Sequence, residues 1–168
     1  MSTFWSYFWP IAAAAAIIGA IGGLIGFRRK KALPVIIAAF LTLGWAALWH
    51  GPLGASDRLT RVIERQARES LAYYEMPQLT AHLHRAPLTR RLILTKPAAM
   101  ALNDFQLGEL ERLFSQVPGV SRATWSEKDA GLPLSLEGVI AALGGFLFGL
   151  GLAYLLELRR RYNSQWSW

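Results

Sequence analysis

No cysteine occurs anywhere in the chain, so disulfides, thiolate metal sites and a cysteine nucleophile are all excluded. Lysine and arginine are missing from the first 27 residues, Arg28 being the earliest. A secretory signal peptide carries positive charge ahead of its apolar core, so this N-terminal stretch is expected to stay uncleaved. Catalytic signatures are lacking as well. There is no nucleophile elbow and no phosphate-binding glycine loop, and the Ser, His and Asp residues show no spacing that would make them converge. The expected class is therefore non-catalytic. Charge is scarce at 17% of residues against 53% hydrophobic, an excess explained by apolar runs near the roughly 20 residues that cross a bilayer.

What charge there is lies unevenly. The net +7 over 168 residues suggests nucleic acid only until it is located. Between Ser56 and Asp129, eleven Lys and Arg face nine Asp and Glu, a surplus of +2. The other +5 comes from Arg28, Arg29, Lys30, Lys31 and Arg159 to Arg161, less Glu137 and Glu157. Basic clusters beside apolar runs are topology signals, and no basic domain remains to hold nucleic acid.

The expected fold is that of a membrane protein with three transmembrane α-helices and a small α+β (αββαβ) extramembrane domain. Residues 1–55 hold two helices, at about 4–27 and 33–50, joined by the basic loop Arg28 to Lys31. Residues 56–129 form the polar domain, and residues 130–168 a third helix (about 134–156) that Arg159 to Arg161 stop, then a tail ending in Trp166 and Trp168. The positive-inside rule puts both basic clusters in the cytoplasm, with the N-terminus and the polar domain in the periplasm of a bacterial inner membrane. Trp5, Tyr7, Phe8 and Trp9, with Trp45 and Trp49, are expected to line the outer interface.

Glycines mark the packing faces. Gly19–Gly23 and Gly22–Gly26 are overlapping G-x-x-x-G patterns, and Gly145–Gly149 repeats the motif among Gly144, Gly145, Gly149 and Gly151. Such spacing strips one helix face and admits a neighbour closely. Two neighbours fit: the other spans of this chain, or a subunit of a larger complex. Glu137, near the outer end of the third span, is expected to reach up to the interface.

In the domain, Leu59, Val62, Ile63, Ala67, Leu71 and Tyr74 recur at helical spacing over about Asp57 to Tyr74. Arg58, Arg61, Arg65 and Arg68 line another face, either solvated through pairs such as Glu64–Arg68 or turned to anionic lipid or an acidic partner. Alternation at Leu79, Ala81 and Leu83 predicts a strand, and Arg91 to Lys96 a second strand antiparallel to it after the turn Ala86-Pro87-Leu88. Asn103 with Gln106 predicts a capping box, Leu107, Leu110, Phe114 and Val117 a buried stripe, and Val120 to Trp125 a last strand.

This order, with the run Val117-Pro-Gly119-Val120-Ser-Arg-Ala-Thr-Trp125, resembles the BON domain of bacterial periplasmic and membrane proteins. In that family the second helix ends in a V-x-G-V turn that feeds the last strand. The resemblance covers roughly Leu59 to Trp125 and implies binding of phospholipid or another envelope component. The sequence departs from the family after the second strand, where Thr95-Lys96-Pro97 stands in place of the usual glycine.

Histidine supplies the remaining candidates. Ala46-x-x-x-His50 resembles the spacing of light-harvesting polypeptides, which implies a pigment or haem ligand; an interfacial, hydrated histidine is the other reading. No further cofactor is expected. His82 and His84 share a strand face, but a zinc site needs three or four ligands, so no metal is expected. Two functions follow. One is an accessory or structural subunit docking onto other integral-membrane subunits of a respiratory or photosynthetic complex through the Gly-lined helices and the periplasmic domain. The other is an autonomous envelope protein whose BON-like domain binds phospholipid or another envelope component, membrane lipids being partners in both.

Overall fold

The structure, a computed structural model, describes residues 3–128 and 131–165. The proposed domain end at Asp129 and the tail residues Trp166 and Trp168 lie outside the described residues. Two compact units make up the chain, one of Met1–Tyr7 and Gly54–Glu137, the other of Phe8–Leu53 and Gly138–Trp168. Eight elements follow in order: α1 (Thr3–Arg29), α2 (Leu33–His50), α3 (Ala55–Tyr73), β1 (Thr80–Arg85), β2 (Leu88–Thr95), α4 (Asp104–Phe114), β3 (Arg122–Thr124) and α5 (Leu134–Gln165).

Three of these helices are long and apolar enough to cross a membrane, over Trp5–Arg29, Leu33–His50 and Leu134–Ser164. No more than a third of the apolar window of any of them is buried within the chain. Ile17, Ile21, Phe40, Leu41, Leu147 and Phe148 are among the large side chains left uncovered, at a density foreign to a water-facing surface. The aromatic cluster at the start divides: Trp5 and Trp9, one turn apart, point outward, whereas Tyr7 and Phe8 are buried. Helical geometry forces that split, because four neighbouring residues cannot share one face.

The basic loop is tighter than its sequence suggests. Arg28 and Arg29 still belong to α1, and Lys30 takes a left-handed φ of 51°. The N–H of Lys31 then bonds the Gly26 carbonyl at 3.1 Å, closing a Schellman-type cap. At the other end α5 does not stop at Arg159 to Arg161 but continues to Gln165. Arginine is a good helix former, and Glu157 supports the extra turns by pairing with Arg161 at 3.1 Å one turn on. Charge ends an apolar span without ending a helix.

In the first unit, the sheet has the order β1-β2-β3. The β1–β2 pair is antiparallel, and β3 lies parallel to β2, with Leu92 opposite Ala123. A parallel neighbour needs a crossover, and α4 supplies it. Leu92, Ile93 and Leu94 are all buried, as are Leu59, Ile63, Ala67 and Leu71 on α3 and Leu110 and Phe114 on α4. The Asn103–Gln106 capping box forms with both bonds, at 2.8 and 3.0 Å. From α4, Ser115 Oγ accepts the Ala123 N–H at 2.9 Å, and the Leu107 carbonyl accepts Trp125 Nε1 at 3.2 Å. Both bonds hold β3 in place.

Three local expectations are corrected. Val62 and Tyr74 are not core residues but 37% and 42% exposed. Val62 falls on the arginine side of α3, and Tyr74 already caps the helix end. Strand β2 begins at Leu88 rather than Arg91, pairing Leu88 with Arg85.

Gly119 has a φ of +95°, and a Cβ there would stand 3.0 Å from Ile63 Cδ1. Gly119→Ala is therefore expected to destabilise the unit by about 1–2 kcal/mol, through backbone strain and a crowded core. A thermal melt of the full-length protein checks this; an unchanged midpoint would contradict it.

Candidate functional site

The surface of the first unit that stands out runs along α3. Arg58, Arg61, Arg65 and Arg68 are all exposed, because Leu59, Ile63, Ala67 and Leu71 take the opposite side to the core. Glu64 does not pair with Arg68. It turns toward the sheet, where its Oε1 accepts Arg85 Nη2 at 2.8 Å and the Leu83 N–H at 3.1 Å. The arginine row thus loses an expected acidic neighbour and becomes more cationic than the sequence implies.

Further along α3, Arg65, Glu69 and Tyr73 follow at four-residue spacing, so the row leads directly into a tyrosine patch. Tyr73 is 81% exposed and packs edge-on against Tyr74, with ring centroids 5.2 Å apart. Both rings border a groove of about 410 Å³ lined also by Gln66, Glu69, Leu113, Gln116 and Pro118. Arginine and tyrosine are among the residues enriched where proteins meet, since each combines a large contact area with directional polar groups. Sequence reasoning found the arginines. It missed the tyrosines, having assigned Tyr74 to the core, although two consecutive tyrosines at a helix end next to Pro77 were the available signal.

A mostly buried ion pair ties the sheet of this unit to the start of α5. Arg90 Nε and Nη2 grip the Glu137 carboxylate at 2.6 and 3.0 Å, and Arg90 Nη1 reaches the Gly119 carbonyl at 3.3 Å. Glu137 is thus a partner of the sheet. The bulge makes this possible. Pairing jumps from Leu83–Leu92 to Arg85–Leu88, which frees the Thr89–Arg91 stretch to bridge Pro133 and to accept the Ser121 N–H on the Arg90 carbonyl at 2.8 Å.

The histidines do not converge. His82 faces Glu127 at 4.0 Å, and His84 Nδ1 lies 2.9 Å from the Pro87 carbonyl. Among the described residues, no group of three or more His, Asp or Glu could hold a metal ion. His50 is the last residue of α2, half-buried, one turn after buried Ala46 and beside the stacked Trp45–Trp49 pair, whose rings lie 5.9 Å apart. That is a helix-end position.

In the second unit every one of the six motif glycines meets a helix of the same chain. A Cβ on Gly22 or Gly26 would strike Ala38 or Val35 of α2. One on Gly19 or Gly23 would strike Phe146 or Ala153 of α5. The two overlapping motifs thus serve two neighbours, with α1 between them. Gly145 and Gly149 answer from α5, lying against the backbone of Ala12 and Ala16. Gly144 and Gly151, by contrast, have nothing within 4 Å.

Compared with protein-family models, curated proteins and solved structures, the chain matches none of them.

Proposed function

We propose that this chain is a non-catalytic integral protein of a bacterial inner membrane, and that its periplasmic unit docks onto another membrane protein as an accessory or structural subunit. The observation that carries the reading is the continuous surface on α3, four exposed arginines leading into the Tyr73–Tyr74 groove. Its chemistry calls for a partner with acidic side chains opposite the row and an apolar or aromatic side chain for the groove. The six motif glycines are not available for docking, since the chain's own helices occupy their faces. Docking through the spans would use their exposed aliphatic faces instead.

The three apolar helices support the membrane placement, and the basic clusters at Arg28 to Lys31 and Arg159 to Arg161 support a cytoplasmic position for that end. The BON-like reading of the soluble unit is supported by its helix and strand order and by the left-handed Gly119 in its V-x-G-V turn. A second reading, binding of anionic lipid headgroups by the same unit, is favoured by the arginine row alone. The two differ in what the tyrosines do.

The test is co-purification in mild detergent of the wild type, an Arg61→Glu/Arg65→Glu variant and a Tyr73→Ala variant. Docking on a protein predicts one stoichiometric membrane-protein partner, lost in both variants. Retention of the partner in both variants would overturn docking through this surface, and a protein that purifies alone while the arginine variant weakens binding to anionic liposomes would overturn it in favour of the lipid reading.

A further inference from the structure

The basic end of the helical unit contains a crevice of about 490 Å³ formed by α1, α2 and α5. Phe27, Val35, Ile36, Tyr154 and Leu158 wall it, with the Phe27 and Tyr154 rings meeting edge to face at 5.8 Å. Lys30, Lys31 and Arg161 add cations to the lining. Its volume falls within the roughly 300–1,000 Å³ of small-molecule sites.

One acidic side chain belongs to it, and that one is already shared. Glu157 is buried, its Oε1 accepting Arg161 Nε at 3.1 Å while Arg28 and Arg160 stand 3.9 and 4.0 Å from Oε2. The Arg161 guanidinium also reaches the Phe27 carbonyl at 3.5 Å, which fixes it at the crevice. A single carboxylate against three arginines and two adjacent lysines leaves a strong positive surplus beside apolar walls. Helix α2 adds to it, since it begins here with no side-chain cap and so presents the positive end of its dipole. The complementary occupant has a phosphate for the cations and hydrocarbon for the walls.

We propose that this crevice is a specific site for an anionic phospholipid of the cytoplasmic leaflet. Basic pockets between membrane helices on the cytoplasmic side take such headgroups in general. The proposal rests on α1, α2 and α5 being membrane spans, and alkaline carbonate extraction tests that premise separately: release of the protein into the supernatant would sink the spans and the site together.

Retention opens the direct test, native mass spectrometry of the full-length protein in mild detergent with phosphatidylglycerol or phosphatidylcholine of identical chains. The expected result is retained phosphatidylglycerol adducts, at least tenfold above phosphatidylcholine. Lys30→Gln/Lys31→Gln/Arg161→Gln is expected to cut them at least tenfold, and Arg29→Gln/Arg159→Gln, which alters cations outside the lining, to leave them within twofold. Equal adducts of the two lipids would overturn the proposal. So would an equal loss in both variants, which would mean diffuse attraction, or displacement of the lipid only by an acidic peptide. If the triple variant loses the parent's helical melt, Lys31→Gln alone carries the comparison, with a threefold or greater loss expected and no loss decisive against the site.

Discussion

Glu137→Gln is expected to lower the stability of the first unit by about 2–3 kcal/mol, since removing one partner of a mostly buried pair leaves a charge that water reaches poorly. Both side chains are mostly buried, 17% exposed for Arg90 and 14% for Glu137, and two short bonds join them. The same guanidinium is hydrogen-bonded to the Gly119 carbonyl, so the damage spreads to the turn that feeds β3. For a unit of this size, such a loss is a drop of roughly 10 °C or more in the melting midpoint. The double variant Arg90→Met/Glu137→Leu should recover most of the loss, because well-packed apolar side chains often replace a buried pair at little cost. Melts of the single and double variants in detergent, followed by near-ultraviolet circular dichroism, supply the cycle. A single variant that melts with the wild type would mean that the pair contributes nothing.

Gly149→Val is expected to prevent α1 and α5 from packing, while Gly144→Val and Gly151→Val leave the protein within about 0.5 kcal/mol of the wild type. A Cβ at Gly149 would run into the Ala16 carbonyl oxygen and come within 2.8 Å of the Ala20 nitrogen. These are backbone atoms, which cannot rotate away as a side chain can, so the helices must separate. Overpacking against yielding side chains costs about 1–3 kcal/mol, and rigid backbone on the other side sets the expectation at or above the top of that range. Gly144 and Gly151 face open space, which makes them internal controls of identical composition. The yield of monodisperse protein and its melting midpoint distinguish the outcomes. Equal damage from all three substitutions would show that glycine matters there for some reason other than close approach.

The contrast between those glycines marks what a sequence of this kind discloses. Spacing showed that Gly145 and Gly149 share a face, but not which helix would fill it, and both an internal and an external neighbour fitted. Local chemistry was legible at several places where the determinants are a few residues apart. The Asn103–Gln106 box, the helix through Leu59 and Leu71 and the antiparallel β1–β2 pair all depend on near neighbours, and all are present. Long-range pairing was not legible. Arg90 and Glu137 lie 47 residues apart, and only the bulge that diverts Thr89 to Arg91 brings them together. Glu64 is a similar case. A helical partner lay four residues away, yet the sheet offered Arg85 with better geometry, 21 residues on in sequence.

Side chains at element ends were misread for a related reason. Tyr74 continues the apolar period of α3, but the helix stops at Tyr73, so the period no longer dictates where its ring points. That single residue hid the groove on which the docking proposal now depends.

The docking and lipid proposals both depend on which side of a membrane each basic or soluble segment occupies. Because the chain has no cysteine, single introduced cysteines report that directly. Lys128→Cys, on an exposed turn of the first unit, and Ser164→Cys, near the end of α5, are the positions of choice. In intact spheroplasts a membrane-impermeant maleimide is predicted to label position 128, and position 164 only after lysis. Labelling of position 164 in intact spheroplasts, with position 128 protected until lysis, would contradict the account.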